Sequence, residues 1–129
     1  TRSVAETVDR LIDVFPPNQQ DQIRIQLANS IQGIVCQTLL PKIGGGRVPR
    51  CEIMFQTDAI KTLIREHANP NNIIDQMLLS SKKTGSQTTI QALAKLVVNK
   101  LITKEVASVG LDESELESLN KMIIKMSNK

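Results

Sequence analysis

Three consecutive glycines, Gly44-Gly45-Gly46, interrupt the chain and limit what it can fold into. A helix interior loses about 1 kcal/mol for each glycine relative to alanine, so no helix runs through this triplet. Before it lies the apolar run Ile34 to Ile43, and after it Val48 to Phe55 alternates in the manner of a half-buried strand. The segment therefore reads as a β-hairpin closed by the glycines. Thr38-Leu39-Leu40 forms the first strand, and pairing Ile43 with Val48 sets Cys51 across from Leu40 and leaves Cys36 beyond the paired part. In that register the two thiols stay unpaired. Pro41 and Pro49 have no N–H for a ladder, which puts the hairpin at a sheet edge or ends it close to the prolines. A lone hairpin is marginally stable and needs either the helices of its own chain or a sheet from elsewhere.

The remainder carries helical spacing. Ser3 and Glu6 have the form of a capping box, Val4, Val8, Leu11, Ile12 and Phe15 follow on one face, and Pro16-Pro17 stops the pattern. A second helix opens near Asn18 with Ile23, Leu27, Ile31 and Ile34 as its buried face. Thr57 or Asp58 caps a short helix, Ala59 to Glu66, that buries Ile60, Leu63 and Ile64 and turns Lys61 and Arg65 to a polar face. Asn69 to Asn72 is a turn; Ile73, Ile74, Met77 and Leu78 carry a helix to Ser81, with Gly85 just past its end. Thr88 or Ser86 starts the next helix, buried through Ile90, Leu93, Leu96, Val97 and Leu101. A brief turn from Thr103 ends at Gly110, and Asp112 with Glu115 caps a final helix striped by Leu116, Leu119, Ile123 and Met126. The fold class expected is mainly α with one β-hairpin (α+β): five or six helices around the hairpin, divided into 1–56, with two helices and the hairpin, and 57–129, all helical.

Composition excludes several functions. With no Trp or Tyr and only two Phe among 129 residues, the core is aliphatic and no stacking platform exists for single-stranded nucleic acid. The net charge of +3 comes from cations scattered among acids, which argues against any nucleic-acid partner. No run has the length of a membrane span and the start has no signal-peptide pattern, so no direct membrane insertion and a cytoplasmic location are expected. Two cysteines make neither a disulfide scaffold nor a four-cysteine zinc site, and His67 has no metal-like spacing to another ligand, so no metal site is expected. Asp9, Asp13, Glu52 and Glu66 read as surface charge, and no residue is assigned a catalytic role. Gly44, Gly45, Gly46 and Arg47 could face an anion through bare backbone N–H groups, a nucleotide-proximal turn. No Lys-Ser or Lys-Thr follows at the mouth of a helix, so the hairpin-turn reading is the stronger one.

Thr7-Val8-Asp9-Arg10-Leu11-Ile12-Asp13-Val14-Phe15-Pro16, Gln37-Thr38-Leu39-Leu40, Ile43 to Val48 with Glu52-Ile53-Met54, and Ala59-Ile60-Lys61-Thr62-Leu63-Ile64-Arg65-Glu66 together resemble the C-terminal part of the PilT family, the retraction ATPases of type IV pili within the secretion-ATPase superfamily. The resemblance extends to about Gly110. Lys61 stands where the family motif has arginine and Thr62 where it has asparagine; lysine keeps the charge and loses the planar fork. The resemblance implies that the chain comprises the tail of a RecA-like ATPase domain (1–56) and a helical C-terminal subdomain (57–129). It implies roles in subunit and partner interaction and in force transmission during twitching motility, with Ala59 to Glu66 as the interaction motif. The family's Walker A, acidic, Walker B and histidine boxes precede the matched part, so this chain by itself is expected to be no enzyme and to hold no cofactor. Mg-ATP, a homo-hexameric motor and the pilus inner-membrane machinery as partner are implied for a full-length parent, cytoplasmic and peripheral at the inner-membrane base of the pilus. A tetracysteine insertion frequent in assembly and type II secretion ATPases is missing, which favours retraction. The alternatives are a free-standing helical adaptor or regulator, and the C-terminal part of a pilus assembly or type II secretion ATPase.

Overall fold

The computed structural model describes residues 3–128; Thr1, Arg2 and Lys129, which terminate the expected segments 1–56 and 57–129, lie outside the described residues. The elements in order are α1 (Val4–Asp13), α2 (Pro17–Ser30), β1 (Gly33–Pro41), β2 (Arg47–Phe55), α3 (Asp58–Arg65), α4 (Pro70–Thr84), α5 (Thr89–Val98), α6 (Lys104–Ser108) and α7 (Glu113–Ser127). The mainly helical fold with a single antiparallel hairpin is as expected, with seven helices among the described residues where five or six were foreseen. The difference is α6, read from the sequence as a brief turn from Thr103: it is a five-residue helix whose N-cap Thr103 accepts from Val106 N–H at 3.1 Å.

The hairpin differs in length and register. Both strands run nine residues, and the turn closes with Lys42 N–H on Gly46 O at 3.0 Å and Gly45 N–H on Lys42 O at 3.1 Å. Gly44, Gly45 and Gly46 all take positive φ (88°, 111° and 77°), so the chain reverses within fewer residues than a pairing of Ile43 with Val48 would need. At the far end Gln56 N–H donates to Gln32 O, and the same register sets Cys51 opposite Gln37, whose Oε1 accepts from Cys51 Sγ at 3.7 Å. Cys36, expected beyond the ladder, lies inside it on the buried face and shares a 3.3 Å hydrogen bond with Thr7 Oγ1. Neighbouring positions across a strand pair point to opposite faces, which keeps the two sulfurs apart.

The chain forms two compact units, one from residues up to Cys36 with Glu52–Thr88, the other from Gln37–Cys51 with residues from Thr89 onward; both arms of the hairpin pass from one to the other. In the first unit α1, α2, α3 and α4 pack around Val4, Val8, Ile12, Ala28, Cys36, Met54, Ile60, Ile64, Ile73 and Met77. Leu11 and Phe15, expected in that core, are instead 47% and 38% exposed and line an open apolar groove of about 450 Å³ with Val14, Ile23 and Leu27. On α2 the deeply buried positions are Arg24 and Ala28, while Ile31 and Ile34 fall beyond the helix and still pack on the core. Glu52, read as surface charge, is 3% exposed because it points inward from β2 and its Oε1 accepts the Val4 N–H at 2.7 Å. A carboxylate at the positive end of a helix, bonded to an otherwise orphaned donor, is favourably placed.

The second unit is built on α5 against α7, around Leu93, Ala94, Ile102, Ala107 and Leu119. Asp112 and Glu115 form the expected capping box, at 2.8 and 3.2 Å, and the hairpin tip is fixed by Ile43 N–H on Leu101 O at 2.8 Å. Gly85 (φ 85°) ends α4 in the left-handed conformation that glycine adopts without steric cost.

Candidate interaction site

The site is assembled on α3. Thr57 is its N-cap, in extended conformation, with Oγ1 accepting from Ile60 N–H at 3.1 Å; Asp58 adds a negative charge in the first turn, where the helix dipole favours one. Ile60 and Ile64 are buried to 0% and 1% exposure and Leu63 packs half-buried beside them. Burying a side chain of that size contributes about 1.5–3 kcal/mol, so this face belongs to the fold. Ala59, Arg65 and Glu66 are exposed, Lys61 and Thr62 half-buried, and Thr62 Oγ1 donates to Asp58 O at 3.1 Å. The motif therefore has one apolar face turned to α2 and α4 and one charged face on which Arg65 and Glu66 are exposed and Lys61 is half-buried.

The end of the helix holds what the sequence did not reveal. Glu66 is the C-cap, and the chain then turns through His67 at φ 54°, with His67 N–H on Ile64 O at 3.2 Å and Ala68 N–H on Leu63 O at 3.0 Å. Arg24 of α2 reaches the same carbonyl, Nη1 to Ile64 O at 3.3 Å, while its Nη2 meets Asp9 Oδ1 of α1 at 3.3 Å. His67, which has no metal-like spacing in the sequence, has its Nε2 3.7 Å from that carboxylate oxygen. Asp9, Arg24 and His67 lie far apart in sequence.

The Gly44–Arg47 turn is exposed and nothing lies within 4 Å of a Cβ built on any of its glycines. It leads into a strand, not a helix N-terminus, and thus lacks the row of helix-end amides that a phosphate loop supplies. Among the described residues no three His, Cys, Asp or Glu side chains group to hold a metal ion, and no helix is long and apolar enough to cross a membrane.

The fold matches parts of two solved ATPase structures. The ATPase DotB of Legionella pneumophila matches the chain in fold, with a TM-score of 0.64 at 19% identity over 84% of this chain and 29% of that one. A solved structure of the pilus retraction motor PilT with bound ADP gives a TM-score of 0.71 at 43% identity, covering 91% of this chain and 32% of that one. In sequence the chain is 43% identical to the type IV pilus retraction ATPase PilT of Pseudomonas aeruginosa over 81% of its length and 30% of the relative's. It is 37% identical to a twitching motility protein of Neisseria gonorrhoeae over 89% of its length and 30% of the relative's. No family model matches the chain. The resemblance to PilT read from the residues is borne out, and the chain spans about a third of the length of these relatives.

Proposed function

We propose that this chain is the C-terminal part of a type IV pilus retraction ATPase and acts in subunit or partner interaction and in force transmission, with the charged face of α3 as the contact. The observation that carries the reading is the 43% identity to PilT across 81% of the chain, joined to a motif helix whose charged residues do nothing evident for the fold. Mg-ATP is bound by the part of the parent that contains the Walker and histidine boxes, and the parent works as a cytoplasmic homo-hexamer at the inner-membrane base of the pilus. Retraction is the activity proposed for the parent, because the relatives matched at 43% and 37% identity are named for pilus retraction and for twitching motility.

Alanine at Lys61, Arg65 and Glu66 together, placed in the full-length motor, tests the contact: retraction is expected to be lost, and retraction at the normal rate overturns it. Phosphoryl transfer depends on positioning the phosphates, so the isolated chain is expected to show no tight nucleotide site. Titration calorimetry with Mg-ATP checks this; a Kd below about 10 μM, roughly 7 kcal/mol, contradicts it.

A further inference from the structure

Arg24 is 9% exposed, near the middle of α2. A buried cation without compensating bonds is costly, so its geometry asks for a purpose. The guanidinium donates in two directions, to Ile64 O and to Asp9 Oδ1, and Asp9 Oδ1 also lies within 3.7 Å of His67 Nε2. One arginine–carboxylate pair thus joins α1, α2, the last turn of α3 and His67, two residues past its end. Satisfying an orphan carbonyl is not what Arg24 adds, because Ile64 O already accepts from the Glu66 and His67 N–H groups. It adds a fixed direction: a planar fork, anchored on α1, that reaches the negative end of α3. With only eight residues in α3, the turn it holds carries much of the helix's exposed charge.

We propose that Arg24, oriented by Asp9, is a positioning residue that fixes the final turn of α3 and so presents Lys61, Arg65 and Glu66 in a single geometry. This rests on the reading of α3 as a contact face. The test is amide hydrogen exchange by NMR on Arg24→Met, Arg24→Lys and Asp9→Asn, with the same changes assayed for retraction in the full-length motor. Arg24→Met is expected to speed exchange at Glu66, His67 and Ala68 at least tenfold more than at Ile12 and Met77, and to lower retraction at least tenfold. Asp9→Asn should give the same local pattern more weakly, and Arg24→Lys, which keeps the charge without the fork, should restore it in part. A uniform rise across α1 to α4, or no rise at the three amides, overturns the proposal. Local opening with normal retraction also overturns it, while the contact reading stands or falls separately on the alanine triple. If Arg24→Met fails to fold, Asp9→Asn and Arg24→Lys decide on the same criteria.

Discussion

α3 and α7 are both amphipathic and both start on a side-chain cap, yet they are held in different ways. α7 is 15 residues long and carries its own instructions: the Asp112–Glu115 capping box, the Glu117–Lys121 pair one turn apart at 3.0 Å, and a stripe through Leu119 that packs on α5. α3 is eight residues long, too short to be stable by local terms, and its end is met by an arginine 40 positions earlier. The difference teaches that the short helix takes its geometry from distant partners, and can therefore offer charges to solvent without relying on them for structure.

Core truncation separates the two most strongly. Ile60→Ala and Leu119→Ala, both at fully buried positions, are each expected to cost about 2–5 kcal/mol in chemical denaturation. Exchange in Ile60→Ala should rise in α1, α2 and α4, the helices of its own core, and exchange in Leu119→Ala in α5 and α7; the reverse pattern would break the comparison. Loss of a cap comes next. Thr57→Ala and Asp112→Ala are each expected to cost about 1 kcal/mol, but Asp112→Ala should fray the first turn of α7 alone, whereas Thr57→Ala should lower protection throughout α3.

What was legible in the sequence follows the same division. Caps and apolar spacing are local signals, so Ser3, Thr57, Thr103, Asp112 and Gly85 could be assigned their places from the residues alone. The hairpin could be seen, but not its register, because three adjacent left-handed glycines shorten the turn in a way that alternation does not encode. Glu52 and Arg24 were beyond reach: a buried charge looks like a surface charge until its partner, Val4 N–H or Asp9 and Ile64 O, is brought to it by the fold. Leu11 and Phe15 mark the opposite failure, since helical spacing names an apolar face without saying whether anything covers it.

The account turns on α3 having a structural face and a separate charged one. Thermal unfolding of the chain with Lys61, Arg65 and Glu66 all changed to alanine tests this most directly. Exposed charges contribute about 0–1 kcal/mol, so the midpoint should stay within a few degrees of the parent chain. A fall as large as that caused by Ile60→Ala would contradict the account and assign these charges to the fold.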